Sequence, residues 1–409
     1  MRKKRFLLIV SILLSILLTG CWDARELNEL GISMIIGFDI EDEKVLLTVE
    51  VIQPMHSGNQ EGNGSNLSVK YVQGAGNNML EAFRDVILRF DRLIFASHNK
   101  ILIFGEDFAK KGLASHIDEL YRDREQREMA YILVAKEQKA YEVMGINAGL
   151  EKVPADYVLQ LVKGIRSNPK TVNVNLVEYL KHYYHAGHHP VVGVIEKNIR
   201  KKIDKTSGNS SMEDYELSVM GAAVFKEEGL VGYLGGNDTK ALNFIMDNIR
   251  GGIITFPTPA AVVKTESETE PQSNDLSSVI IISNKTKNDV EIIDGKIILK
   301  TKVKLRSSLG EVVGDIDISK EENIKAIEDA CSKAIEVALK AAIKKLQRDF
   351  KLDIFGFGIV FHRKYPEQWK EIERNWDEIF SEAEVEVVVD TNIIRTGLIN
   401  TPVNKIKGK

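Results

Sequence analysis

The stretch DVEIIDGKIILKTKVKLR (residues 289–306), followed by SKEENIKAIEDACSKAIEVALKAAIKKL (residues 319–346), decides the fold. Its first half holds two β-rich runs, Asp289–Ile293 and Lys296–Arg306. Between them Asp294-Gly295 suits the two positive-φ positions of a type I′ hairpin turn. The second half places Ile324, Ile327, Cys331, Ile335, Ala338, Ala342 and Leu346 on one helical face. Ser319 with Glu322 three residues later reads as a capping box that starts the helix. At roughly 1.5–3 kcal/mol per large aliphatic, burying this face contributes about 10 kcal/mol or more before ordering entropy is subtracted. The long helix (320–349) must therefore dock on the strands. Cys331, inside the stripe, reads as a buried structural thiol. Ser278–Ser283 precedes the hairpin as another β-run; Ile354–Phe361, Pro366–Phe380 and a strand Glu384–Ile394 complete a C-terminal α+β domain, 278–409.

Upstream, Thr265–Ser277 (TESETEPQSNDLS) is acidic and polar and reads as a linker, 265–277. Before it, a hairpin over Leu217–Phe225 and Leu230–Leu234, a helix over Asn237–Ile249 and a strand Ile253–Phe256 form a small middle α+β domain, 191–264. Residues 21–190 read as an N-terminal α/β domain. It opens with a hairpin of Ile32–Ile40 and Lys44–Ile52 and a strand over Leu67–Gln73, then alternates. The expected helices are Asn77–Phe90, Asp107–Tyr121 and Glu137–Met144; the strands are Lys100–Phe104 and Met129–Val134. Helices over Pro154–Ile165 and Leu176–His185 follow. The expected class is α+β in three domains, each a mainly mixed or antiparallel sheet with packed helices.

The N-terminus carries its own signal. Met1-Arg-Lys-Lys-Arg5 precedes an apolar run from Phe6 to Leu18, and Leu18-Thr19-Gly20-Cys21 follows. A basic n-region and a short h-region read as a signal peptide over 1–20, too short for a span of about 20 residues. A bulky apolar residue, two small residues and a thiol form a lipobox, with Cys21 the residue to be acylated. Acyl chains on Cys21 hold a protein to a bilayer without crossing it. With Cys21 acylated, Cys331 has no partner for an intrachain disulfide.

The chain has 409 residues and a formal net charge of −4. Removing Arg2, Lys3, Lys4 and Arg5 with the signal takes it to about −8. That balance argues against nucleic acid and against adhesion to anionic lipid by net charge. His182, His185, His188 and His189 form the one histidine cluster, with no Cys, Asp or Glu between Lys181 and Ile195 to complete a metal set. They read as a polar helix end leaving into a loop. Gly74-Ala75-Gly76 lacks the third glycine of a dinucleotide fingerprint. No Ser-His-Asp set, paired-carboxylate motif or Walker loop is present, so the chain reads as non-catalytic, with no cofactor and no metal. Arg122, Asp123 and Arg127 are candidate partner contacts, weighed against local ion pairs of little energy.

Several blocks together resemble one family, the Ger(x)C spore-germination lipoproteins. They are Cys21-Trp22-Asp23-x-Arg25-Glu26-Leu27-Asn28 with Gly37-Phe38-Asp39; His98-Asn99-Lys100 with Gly105-Glu106, Ala109, Gly112, Leu120, Arg122-Asp123, Glu125 and Arg127; Gly221–Lys226 with Leu230-Val231-Gly232; and Asp353–Gly358 with Trp369 and Trp376-Asp377. One departure is His188-His189 before Pro190, where the family pattern leads to a more acidic or polar turn. The resemblance implies a three-domain lipoprotein on the outer face of the spore inner membrane. It would sit beside a multi-pass A subunit and a permease-like B subunit of a nutrient germinant receptor, held by lipid. It implies a role in assembly and signal transmission, with nutrient bound by the permease-like subunit. The rival reading is an extracytoplasmic solute-binding lipoprotein of a transporter, which would show two α/β lobes around a deep cleft.

Overall fold

The structure, a computed structural model, describes residues 3–6, 29–53, 68–113, 116, 120, 129–199, 215–259, 275–314 and 316–396. In chain order the elements are β1 (Leu30–Glu41), β2 (Lys44–Gln53), β3 (Ser68–Gly76), α1 (Met79–Ile87), β4 (Leu93–Phe95), β5 (Ile101–Gly105), α2 (Glu106–Lys111), β6 (Tyr131–Ala135), α3 (Ala140–Val143), α4 (Pro154–Lys163), α5 (Leu176–Tyr184), β7 (Val191–Ile199), β8 (Tyr215–Lys226), β9 (Gly229–Leu234) and α6 (Gly236–Ile245). Then come β10 (Ile253–Pro257), β11 (Leu276–Ile293), β12 (Lys296–Val312), α7 (Glu321–Asp349), α8 (Phe357–Lys364), α9 (Pro366–Ile372), α10 (Trp376–Glu382) and β13 (Glu384–Arg395).

Two sheets hold the described residues, and the class is α+β. The larger has nine strands, in the order β3-β2-β1-β5-β6-β7-β8-β9 with β4 also on β1. Its centre is parallel and both ends are antiparallel. The boundary expected at residue 190 falls inside this sheet. β7 bonds β6 in parallel, Leu133 opposite Gly193, and β8 and β9 continue from it. Residues 191–234 therefore extend the first sheet instead of building one of their own. The strand that makes the join, VVGVIEKNI, carries no alternation, because its first five residues are buried on both faces.

The large sheet separates two apolar clusters. On β1 and β5, Ile36, Phe38, Leu102 and Phe104 face one; Ile35, Ile101 and Ile103 face the other. The second is closed by α3 and α4 through Ala140, Val143, Val158 and Val162. The first runs without a break into the core of the small sheet, through Leu242 and Phe244 of α6 to Ile327, Cys331 and Leu346 of α7.

The small sheet has the order β10-β11-β12-β13. The two β-runs expected at Ser278–Ser283 and Asp289–Ile293 are one strand, bent by register shifts near residues 278 and 282. Asp294 (φ 50°) and Gly295 (φ 77°) make the expected turn. The long helix also forms, with two local corrections. Lys320 is the cap residue and its side chain caps nothing, because the Ser319 hydroxyl is taken by Asp317 at 2.7 Å. The buried stripe is Ile327, Cys331, Ile335, Leu339, Ala342, Ile343 and Leu346; Ala338 is exposed.

The docking of α7 solves an edge problem. β13 is an edge strand, with a row of amides to satisfy. The amides of Val389, Thr391 and Ile393 donate to Glu336 Oε1 (3.1 Å), Ser332 Oγ (3.0 Å) and Glu328 Oε1 (2.7 Å). Four helical residues rise about 6 Å and two strand residues about 6.6 Å. A helix laid along the edge can therefore offer one acceptor per outward amide.

Candidate functional site

The densest polar constellation in the interior lies where the loop after α5 meets the start of α8. Asp353 is fully buried. Its Oδ1 accepts from the amides of Phe355 (3.0 Å) and Gly356 (2.9 Å). Its Oδ2 accepts from the amide of Gly358 (2.7 Å) and from Trp376 Nε1 (3.0 Å). One carboxylate thus caps α8 and ties it to α10. Burial raises the Asp353 carboxyl above its usual range, and the four N–H donors work against that shift.

The loop from the first sheet docks on this cap. The amide of His189 donates to the Asp353 carbonyl at 2.9 Å. The His188 ring nitrogen Nε2 donates to the Ile354 carbonyl at 3.1 Å. His189 Nε2 lies 2.8 Å from Asp377 Oδ1, and Lys226 of β8 lies 3.4 Å from Oδ2. Gly187 (φ 74°) meets Gly358 so closely that a Cβ on Gly358 would sit 2.5 Å from the Gly187 carbonyl oxygen. Trp369 and Trp376, both buried, close the contact. The arrangement is a latch between the two sheets, made of a carboxylate, backbone and glycine contacts.

The histidine cluster is therefore not a solvated helix end throughout. His188 is buried, with its ring 4.3 Å centroid to centroid from that of His182. Burial, then the neighbouring histidine rings, lowers His188 to about 3; burial, then Lys181 and His185, lowers His182 to about 4. Both rings are neutral near pH 7. Among the described residues no group of three or more His, Cys, Asp or Glu is placed to hold a metal ion.

Two more buried carboxylates repeat the capping device. Asp39 accepts from Ala140 N (2.7 Å) and Tyr141 N (3.3 Å) at the start of α3. Glu50 accepts from Ala155 N (3.0 Å) at the start of α4 and from Tyr71 Oη (2.8 Å). Burial pushes each up to about 6. Asp39 also explains Gly105, where a Cβ would stand 2.0 Å from Asp39 Oδ1. The Gly37-Phe38-Asp39 and Gly105-Glu106 blocks thus touch in space. Sequence reading passed over these three acids as sites, although each sits alone inside an apolar run: Phe38-Asp39-Ile40, Val49-Glu50-Val51 and Leu352-Asp353-Ile354. That pattern was the available signal. Asn99 is buried with no partner for its side-chain amide, which nothing in the structure explains. The expected contacts Arg122, Asp123 and Arg127 and the expected acylation site Cys21 lie outside the described residues.

Clefts on the described surface flank Phe90, Asp91 and Arg92 at the point where the chain enters β1; the larger holds about 450 Å³ and is open to solvent. The two sheets differ in size, strand order and cover, and do not form a matched pair of lobes.

Comparison with known proteins places these motifs. Residues 23–197 match the family model described as the spore germination protein N-terminal domain. Residues 220–397 match that described as spore germination B3/GerAC like, C-terminal. Spore germination protein KC of Bacillus subtilis (strain 168) is 28% identical over 415 residues, covering 98% of both chains. Spore germination protein B3 of the same organism is 24% identical over 388 residues, covering 93% of this chain and 95% of the other. The crystal structure of the GerBC protein shares the fold, with a TM-score of 0.54 at 20% identity, covering 88% of this chain and 97% of that one. The chain belongs to the GerAC-like family of spore germination proteins.

Proposed function

We propose that this chain is the membrane-anchored, non-catalytic C-type subunit of a spore nutrient germinant receptor. It is held to the outer face of the spore inner membrane by acyl chains on Cys21 and works beside a multi-pass A subunit and a permease-like B subunit. The observation that carries this reading is the collinear match of both family models, which together run from residue 23 to residue 397. The anchor rests on the Leu18-Thr19-Gly20-Cys21 lipobox. Among the described residues no helix is long and apolar enough to cross a membrane, which agrees with anchoring by lipid. The latch at Asp353 gives the subunit a physical role. Two sheets fastened through a buried carboxylate move together, so a displacement at one face reaches the other. Such a body suits assembly and signal transmission better than ligand capture. The test is genetic. Spores lacking this chain should lose the response to their nutrient and keep germination by a non-nutrient route. Restoring the chain should restore the response. Full nutrient response without the chain would remove the proposal.

A further inference from the structure

The open face of the small sheet carries a charge arrangement that its own fold disfavours. β11 and β12 pair so that Lys285 stands directly opposite Lys304, and Lys287 directly opposite Lys302. Like charges in directly opposed positions destabilise a sheet. Arg306 extends the column by two residues, on the same face of β12. All five side chains are exposed. Among the described residues none of the five has a carboxylate within ion-pair distance. Lys300, next on the same column, shows what satisfaction looks like: it reaches Glu291 at 2.7 Å and Glu386 at 3.4 Å. The nearest acids to the five are otherwise placed. Asp289 is paired with Lys364 at 2.7 Å, and Asp390, opposite Lys304 in register on β13, does not close on it. Beside the cations the same face exposes Ile253 (56%), Ile280 (48%) and Ile282 (37%), with Ile253 opposite Ile280.

We infer that this face lies against an anionic lipid surface. A self-repelling square of lysines is relieved by a layer of external negative charge. The choice of side chain favours lipid over an acidic protein. Protein interfaces are depleted in lysine and use arginine, whereas clustered lysines beside aliphatics are the pattern of headgroup contact. The net charge of −4 does not reveal the patch, because it sums over the whole chain and not over one face. The inference rests on the membrane-anchored reading for its location and adds the face that the anchored body turns to the bilayer.

The test uses the full protein, extracted from membranes and reconstituted into vesicles of phosphatidylcholine alone or with phosphatidylglycerol. In a Cys331→Ala background, a fluorophore is placed at Ile282→Cys or, as a control on the exposed side of α7, at Val337→Cys. Lipid-borne nitroxide should quench the label at 282 in phosphatidylglycerol vesicles, less so in high salt, and leave 337 bright. The double variant Lys285→Glu/Lys287→Glu turns both like-charge pairs into opposite-charge pairs. It should weaken the contact by about a hundredfold while raising the thermal midpoint by a few degrees. Equal quenching at 282 and 337, or full quenching in the double variant, would overturn the inference. Shielding of 282 that appears only with the partner subunits present would assign the face to an acidic protein and equally overturn it. Release of the protein from phosphatidylcholine vesicles in high salt would indict the anchor. Retention there without quenching would indict this face alone.

Discussion

The two sheets of this protein obey different rules, although they share one core. The nine-stranded sheet is covered on both faces, and its central strands are nearly unbroken apolar runs. The four-stranded sheet is covered on one face by α7, and β12 alternates strictly between Leu299, Thr301, Val303 and Leu305 inward and Lys300, Lys302, Lys304 and Arg306 outward. The difference is one of cover, and it fixes where charge can sit. In the large sheet the two buried acids, Asp39 and Glu50, each cap a helix. In the small sheet charge is confined to the open face and to the α7 edge. The latch at Asp353 is where the two regimes meet.

The sharpest way to break the comparison is to separate the sheets at that latch. Asp353→Ala leaves four buried N–H groups without an acceptor and should destabilise the protein by about 3–5 kcal/mol. Asp353→Asn should be almost as costly. If its oxygen keeps Phe355 and Gly356, its NH₂ faces the donors of Gly358 and Trp376. Urea unfolding checks both, and a change below about 1 kcal/mol would show that the carboxylate is not what fastens the joint.

The buried titratable groups give a pH signature of the same architecture. His188 is held near 3 when folded, against an ordinary 6.5. Its contribution is present above pH 6.5 and is lost as the pH falls toward 3, at about 1.4 kcal/mol per unit. Asp39 and Glu50, raised to about 6, act in the opposite sense: their contribution is present below their ordinary values and is lost as the pH rises through 6. His182, lowered to about 4, adds to His188. The histidine shifts are the larger, so stability should fall between pH 6.5 and pH 4. His188→Gln, which can keep the bond to Ile354, should flatten that fall by about 2–3 kcal/mol at pH 4. Unfolding curves of both proteins across this range decide it; parallel curves would mean that His188 is solvated.

A smaller effect is expected at the edge of the small sheet. Glu336→Ala, Ser332→Ala and Glu328→Ala should each cost about 1 kcal/mol and raise amide exchange at Val389, Thr391 and Ile393 in turn. Exchange that does not follow this one-to-one pattern would refute the registry of helix and strand. An effect of similar size belongs to Cys331, buried on the inward face of α7 and pushed up to about 11 by burial. Cys331→Ala should cost about 1–2 kcal/mol at most, and the native thiol should resist labelling.

Much of this was legible in the residues. The Asp294-Gly295 turn, the long helix and the flanking strands followed from spacing alone, because one-sided cover writes a period into the sequence. What failed, failed where cover is two-sided or where a contact is distant. β7 breaks its apolar run with Gly193 and continues into Glu196-Lys197-Asn198, so its pattern shows no alternation to mark a strand. Missing it created the boundary at 190. The helix stripe was read one residue off at Ala338 because alanine suits either side of a helix. His188 was read as solvated because its partner, Ile354, lies 166 residues away. The role of Asp353 likewise depends on Trp376 and on a loop from the other sheet.

The central claim is that a latched, two-sheet body is fastened to the spore membrane through Cys21 and is needed there for the nutrient response. Membrane fractionation of Cys21→Ala spores, read together with their nutrient germination, tests it most directly. The account predicts that the variant leaves the membrane fraction, or stays as uncleaved precursor, and that nutrient germination is lost or sharply slowed. Fully processed variant retained in the membrane, with normal nutrient germination, would contradict it.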